Sequence, residues 1–537
     1  MKIEAKEDNG LRLGIALYKK GRKHAMTDEF VDGISCMLEA LHYLEPLKGK
    51  DHRVLRAECL YFLGMMEIWR GRYGTAHDVL EECTNLNPDV PVYWAYFAQA
   101  CMYLGADRKA MRFAEKIDSF DHADAVVFSM LQTIWEFYKD FTKAEVFKEK
   151  ATKGSTEPDA LYLLGNSHYI KSEKKQAGEY YRKALDIDPE HKEANYAYGL
   201  IIAEEGRHAE AIPYFTKGME STISGHSAHW GRSISNLILG NYKDGFEDYE
   251  MRILFMKHEY GTKIAEMRHD KPQWNGETEP ARIHVYSEQG FGDFFQFCRY
   301  VPLLCGMGHE VILECDTSML ELMKYNFPKA NVIPLALDFP KITGIPDCDY
   351  RIAIGSLPYA FKSTLESLPF SDGYLKAQPE KIIEHSIIAD KKKVGLCWAG
   401  GKRFQDRHLV EADERRSISF ATISPILEDK DYDFFSLQAG QAAEQGNIYD
   451  LMKDVKSWSD TAGIIANLDL VISVDTAVLH LAAAMGKETW LLNKEHTCWR
   501  WLLDRTDSPW YHSLRIFRYK TGWDQVVNDA REALWQR

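Results

Sequence analysis

The chain has 537 residues, too many for one hydrophobic core, so about three domains are expected. Hydrophobic residues at 45% and charged residues at 27% describe an ordinary globular protein. A formal net charge of −14 excludes a chain that is basic overall, though not a local basic groove. Ten cysteines stand singly with no C-x-x-C pair, which argues for reduced, buried thiols rather than a zinc site or a disulfide framework. The segment 1–10 is polar and mixed in charge, unlike a signal peptide, and apolar runs such as 468–474 are far too short to span a bilayer. A cytoplasmic location is expected.

The first half repeats itself. Gly71, Gly105, Gly206 and Gly240 are separated by 34, 101 and 34 residues, and Lys139 and Ser172 fill the gaps in that beat. Ala76, Ala110, Ala144, Ala177, Ala211 and Gly245 keep the same period. Small residues also recur inside the first helix of a repeat, at Gly64, Gly165 and Gly199, and Asn87-Pro88 and Asp188-Pro189 break the helices. This resembles the tetratricopeptide pattern of two antiparallel helices per repeat. Six repeats fit between about 54 and 252, and residues 8–50 read as one more irregular helical pair with an insertion, giving a solenoid over 1–255. Such an array offers a concave face suited to an extended peptide or partner protein, and by itself implies no more than an interaction scaffold.

Residues 256–280, with Trp274-Asn-Gly-Glu and Pro280, read as a linker. Alternating strands and helices then begin. The strand candidates are Ile283–Ser287, Val311–Glu314, Val332–Pro334, Tyr350–Ile354, Val394–Trp398, Phe434–Gln438, Leu470–Val474, Thr489–Leu492 and Leu514–Phe517. Helical patterns between most of them imply parallel sheets in two Rossmann-like halves, 281–378 and 390–515, followed by a C-terminal helical segment, 516–537, that could pack on either half.

The segment Val471–Gly486 is the most informative. A short β-branched run ends at Asp475-Thr476, and the pattern then turns helical, with Val478, Leu479, Leu481, Ala482 and Met485 able to share a face. Asp475 and Thr476 therefore fall at a strand-to-helix turn, where free backbone N–H groups and the helix dipole suit a phosphate. The segment resembles the Asp-Thr-(Gly/Ala) element of heptosyltransferase-like and O-linked GlcNAc-transferase-like glycosyltransferases. Further phrases run in order through Ser287–Phe297, Val394–Gly401, Arg415–Ile418, Ser436–Gln438 and Trp499–Arg505. Together with the repeats they resemble a bacterial and phage group in which tetratricopeptide repeats precede a GT-B transferase. The resemblance implies inverting, metal-independent transfer from a nucleotide sugar, with 281–378 as the acceptor side and 390–515 as the nucleotide-sugar side.

Site residues follow. Gly290 and Gly292, after the first strand of the acceptor side, would let the backbone turn tightly and approach a ligand. Phe295 stands where a dinucleotide fingerprint needs its third glycine, so that fingerprint is absent. By resemblance, Asp293 is the general base that deprotonates the acceptor hydroxyl; the plain alternative is a helix-capping aspartate. Asp475, Thr476 and the Ala477 amide would serve the donor pyrophosphate and ribose. His480, one turn on, reads as a packed helix histidine as much as a donor contact. The diphosphate leaving group needs cations or amides, with Lys402, Arg403, Arg407 and Arg416 as candidates, Lys402 and Arg416 favoured because the family phrases pass through them. Gln438 joins the donor set by the same phrases. Asp347-Cys-Asp349 suggests a metal, but the same pattern recurs at 186/188 and 431/433, so no metal and no cofactor besides the nucleotide sugar is expected. The rival readings are transfer to a saccharide, lipid-linked or nucleic-acid acceptor rather than a polypeptide, and a scaffold whose transferase half has decayed. Asp293, Lys402, Arg416, Asp475 and Thr476 together count against the last.

Overall fold

The computed structural model describes residues 2–25, 30–45, 50–118, 120, 123, 125–152, 158–170, 173–221, 224–252, 271–335, 346–401, 416–439 and 448–537. The chain divides into two compact units. The first holds the helices up to Arg232, and the second holds Ser233–Glu250 together with the described residues from 271 onward.

The first unit is a run of antiparallel helix pairs. Lys2–Ala25 pairs with Phe30–Leu44, and the 34-residue beat follows as Lys50–Trp69 with Tyr73–Leu86, Pro91–Tyr103 with Asp107–Ile117, and Ala125–Phe137 with Phe141–Thr152. Pro158–Ile170 with Lys174–Ile187 and Lys192–Glu204 with His208–Gly218 continue it. The beat marks a fixed backbone event. Gly71, Gly105, Gly206 and Gly240 have φ of 70°, 71°, 80° and 85°, the left-handed residue that ends one helix before its partner starts. Lys139 adopts φ 61° at the same place without the freedom of glycine. The mid-helix small residues admit a neighbour: a Cβ on Gly165 would come within 2.3 Å of the Tyr181 ring. Ala76, Ala110, Ala144, Ala177 and Ala211 are all buried where the helices cross. Trp94, Phe97, Leu131, Ile134 and Trp135 join the core between consecutive pairs.

The seventh pair, Gly225–Ile238 and Tyr242–Tyr249, corrects the expected boundary at 255. Its second helix belongs to the second unit, because Tyr242, Phe246 and Tyr249 cover Trp499 and Trp510, with ring centroids 5.7–6.5 Å apart. Sequence period alone gave no sign that this face has such partners.

The second unit holds two all-parallel sheets. In the first, β1 (Arg282–Tyr286), β2 (Glu310–Cys315), β3 (Asn331–Pro334) and β4 (Tyr350–Ala353) lie in the order β3-β2-β1-β4. The second contains β5 (Lys392–Cys397), β6 (Tyr432–Ser436), β7 (Tyr449–Asp450), β8 (Leu470–Ser473), β9 (Thr489–Leu492) and β10 (Leu514–Phe517), in the order β10-β9-β8-β5-β6-β7. That is the doubly wound order, reversing direction between β5 and β8. Every expected strand is present. β6 starts two residues earlier than expected, where Tyr432 and Asp433 pair with Lys392 and Lys393, and ends two residues earlier, with Gln438 turned to accept from the backbone after β5. β7, two residues long, carried no pattern to read.

Part of the expected linker is not a linker. Residues 256–270 lie outside the described residues, but Gln273 bridges Arg351 in parallel and Trp274 N donates to Arg351 O at 2.9 Å. The Trp274 ring is fully buried against Phe361 and His309, so this segment extends the edge of β4. The C-terminal helix Trp523–Trp535 packs on the second sheet, with Val526, Val527, Ala530 and Leu534 joining Val394, Leu396, Ile472, Trp490 and Leu492. A buried arginine ties the two halves. Arg299 Nη1 donates to Trp510 O at 2.9 Å and to Pro369 O at 3.2 Å, and its guanidinium lies 4.7–5.1 Å from the ring centres of Tyr374, Trp510 and Tyr511.

Candidate functional site

The strand order points to one place. In an open parallel sheet, ligands bind beyond the carboxyl ends of the strands where the order reverses, here β5 and β8. β5 ends at Cys397 and leads into Trp398-Ala399-Gly400; β8 ends at Ser473 and leads into Val474-Asp475-Thr476. Helix Ala477–Ala484 starts there. Thr476 is its N-cap: its hydroxyl accepts the Leu479 N–H at 3.5 Å and lies 2.9 Å from Ser473 Oγ. The Thr476 side chain thus orders the turn, leaving the amides of the first turn, Ala477 among them, as the anion-facing groups that helix geometry provides.

Asp475 is held by its own half. Its Oδ2 accepts the Trp501 indole N–H at 3.1 Å, and its Oδ1 lies 3.6 Å from His480 Nε2. Burial pushes this carboxyl up, but His480, the Lys494 charge and the Trp501 N–H outweigh it and hold the group well below the usual carboxylate range. His480 is buried, stacked on Trp501 with ring centres 5.4 Å apart, and its Nδ1 meets Tyr511 Oη at 3.0 Å.

Beside that turn lies the loop after β5. Gln438 Oε1 accepts from Trp398 N at 3.2 Å and Ala399 N at 2.9 Å, so this oxygen shapes the loop from within. Arg416 lies against Gly400, where a Cβ would come 2.6 Å from its Nε; glycine is needed for the guanidinium to sit on the backbone. Burial raises the Cys397 thiol, which therefore stays protonated beside Thr476. Lys402, Arg403 and Arg407 lie outside the described residues.

The acceptor-side residues face this turn from the first half. Helix Phe291–Phe297 crosses helix Ala477–Ala484 so closely that a Cβ on Gly292 would meet His480 Cδ2 at 2.9 Å. Gly292 is therefore a helix-crossing glycine. Gly290, with φ −91° and ψ 169°, sits in extended backbone, and the left-handed turn falls on Gln289 at φ 58°. Neither glycine supplies the tight turn expected of it. Asp293 lies in the first turn of this helix. Its Oδ2 accepts the Gly290 N–H at 3.1 Å and its Oδ1 pairs with Arg500 Nη2. Arg500, buried beyond β9, also donates to Gln296 Oε1 and, at 3.2 Å, to Cys498 Sγ.

The structure thus brings Gly290, Gly292, Asp293, Asp475, Thr476, Ala477 and His480 together, with the side chains of Arg416 and Gln438 against the adjoining loop. Arg500, Trp501, Gln296, Tyr511 and Gln289 were missed as individual residues. Four of them lay in the ordered phrases with no role assigned: Gln289 and Gln296 in Ser287–Phe297, and Arg500 and Trp501 in Trp499–Arg505.

Both carboxylates of the Asp-x-Asp pattern at 347/349 have partners within the chain. Asp349 Oδ2 accepts the Arg282 N–H at 2.8 Å, and Asp347 pairs with Lys271 and Arg282 at 3.7 and 3.8 Å. Among the described residues, one cluster could offer metal ligands, Glu384, His385 and Asp460, and Lys381 Nζ already sits 2.6 Å from Asp460. All ten cysteines lie among the described residues and none forms a disulfide; eight of them are buried. Among the described residues no helix is long and apolar enough to cross a membrane.

Comparison with known proteins bears on the repeats. A family described as tetratricopeptide repeat matches residues 162–218. Protein FlbA of Caulobacter vibrioides is 24% identical over 404 residues, 64% of this chain and 66% of that protein, so the chain spans just under two thirds of that relative's length. Among solved structures, MamA from Desulfovibrio magneticus RS-1 is 21% identical, with 30% of this chain and 93% of that chain covered at a TM-score of 0.22. PilF of Pseudomonas aeruginosa is 17% identical, with 42% and 100% covered at a TM-score of 0.27. The family match falls within the run of helix pairs, and an α/β region of two parallel sheets follows that run.

Proposed function

We propose that the second unit is a GT-B glycosyltransferase that moves a sugar from a nucleotide sugar to an acceptor hydroxyl with inversion and without a metal, and that the repeats present a protein or peptide acceptor. One observation carries this reading: the N-terminus of helix Ala477–Ala484, at the reversal point of the second sheet, faces the Asp293 turn of the first sheet across the crossing of Gly292 and His480. A nucleotide diphosphate at that N-terminus and an acceptor at Asp293 would meet in one cleft.

In the reaction, the acceptor hydroxyl gives its proton to Asp293 as its oxygen bonds to the anomeric carbon, and the bond from that carbon to the diphosphate breaks. The departing charge falls to the first-turn amides of helix Ala477–Ala484 and to Arg416 beside Gly400. Asp475 supports this indirectly: it holds Trp501 and His480, the stack on which the helix start rests.

Thermal shift and calorimetry with UDP, GDP, ADP and dTDP and their sugar conjugates, in EDTA, test the reading. At least one diphosphate should stabilise the protein, and Asp475→Ala should weaken its binding tenfold or more. Thr476→Ser, which retains the cap, should bind normally. Absence of binding by every diphosphate, or turnover that needs a divalent ion, would overturn the proposal.

A further inference from the structure

Gln289 holds a backbone conformation that glutamine does not favour. Its φ of 58° lies in the left-handed region, where a side-chain-bearing residue is strained. It stands between Glu288, whose carboxylate accepts the Gly355 N–H at 3.0 Å, and Gly290, whose N–H reaches Asp293. Strain of this kind persists only where the surroundings impose it, and it concentrates at functional sites. Here Tyr249 is in place to impose it. Gln289 Nε2 donates to Tyr249 Oη at 3.2 Å, and the same hydroxyl lies 3.3 Å from Gln289 Oε1. Tyr249 closes helix Tyr242–Tyr249, is buried, and packs against Trp499 at 6.2 Å. The helix is itself seated by Tyr242, whose hydroxyl accepts from Trp510 Nε1 at 2.8 Å. In sequence it is the last helix of the repeat array; in packing it is part of the α/β unit.

We propose that Tyr249 and Gln289 are a positioning pair, a clamp supplied by the last repeat helix that sets the orientation of the Asp293 carboxylate. The proposal rests on the reading of Asp293 as the base. Held left-handed, Gln289 aims the Gly290 amide at Asp293 Oδ2, while Arg500 takes Oδ1, so the carboxylate has one orientation in the cleft. When the clamp is released, the turn has an unstrained alternative and the carboxylate loses one of its two anchors. The acceptor side of the chemistry is thereby coupled to the seating of the helix that ends the array.

The test uses the full chain with Tyr249→Phe, Gln289→Gly and the double variant. Two readouts are taken: melting temperature, and release of nucleoside diphosphate from UDP-glucose, UDP-N-acetylglucosamine, GDP-mannose and dTDP-rhamnose. Each single variant should lower turnover by roughly ten- to a hundredfold, the scale of a misplaced reacting group, and the double variant should lose no more than either single. Gln289→Gly should melt close to wild type, since relief of strain offsets the lost hydrogen bond. Tyr249→Phe should lower the melting temperature by about 2 °C in the wild-type background and not in the Gln289→Gly background. Losses that multiply, or turnover unchanged in both single variants, would overturn the clamp. If the wild-type chain releases no diphosphate from any donor, the transferase reading fails with it, and the melting cycle alone decides the clamp: equal destabilisation in both backgrounds refutes it.

Discussion

Replacing Gly292 with alanine should separate the two glycines that look alike in the sequence. In a helix interior the change by itself gains about 0.5–1 kcal/mol. Here the new methyl would stand 2.9 Å from His480 Cδ2. Carbon atoms in contact prefer about 3.5–4.0 Å, so one partner must move by at least about 0.6 Å. His480 has little room to move, being 5% exposed, stacked on Trp501 and bonded to Tyr511 at 3.0 Å. Overpacking of this kind costs about 1–3 kcal/mol, which leaves a net loss between about 0 and 2.5 kcal/mol. Gly290→Ala meets its nearest atom at 3.4 Å, in backbone that alanine adopts, and should cost about 0.5 kcal/mol or less. Thermal denaturation followed by tryptophan fluorescence is the assay, because nine of the thirteen tryptophans lie beyond residue 233. If Gly290→Ala is the costlier change, the helix-crossing account of Gly292 is wrong.

Further outcomes are expected. A fragment that begins at residue 256 should expose Trp499 and Trp510 and aggregate, whereas one that begins at 225 keeps Tyr242, Phe246 and Tyr249 over them and should stay monomeric by size-exclusion chromatography. Lys139→Gly should raise the stability of the first unit by about 0.5 kcal/mol in urea denaturation, as relief of left-handed strain exceeds the added chain entropy. Gly105→Ala should cost about 1 kcal/mol although its Cβ would meet nothing within 4 Å. Asp460 is buried, which pushes its carboxyl up, but Lys381, the Lys456 amide, His385 and Ser457 together hold it well below the ordinary value. Its contribution is thus present above the unfolded pKa, near 4, and lost as pH falls through the folded value. Asp460→Asn should lower the melting temperature at pH 7, and the gap to wild type should narrow below about pH 4.

The repeat array was legible because one backbone event recurs: a left-handed residue every 34 positions leaves glycine at Gly71, Gly105, Gly206 and Gly240, and buried crossings leave alanine. The strands were legible because parallel strands covered on both faces read as short apolar runs, as 470–474 does. The site was legible only in outline. Asp475 and Thr476 were placed by the change from strand to helix, but their partners Trp501 and Ser473 depend on which strand ends lie side by side. Asp293 could be found by resemblance, whereas Arg500 reaches it from 207 residues away, and no local pattern reports that pairing. The role of helix Tyr242–Tyr249 was hidden for the opposite reason. It keeps the repeat period so well that nothing in its spacing shows it has left the array.

The repeated left-handed joint has a consequence for how this architecture can change in length. Each helix pair touches mainly its neighbours, and each joint presents the same backbone to the next pair. Removing or duplicating a segment of 34 residues upstream of Gly225 therefore leaves matched surfaces on both sides of the cut. The length of the helical array is thus set by the number of such joints and by no single one of them.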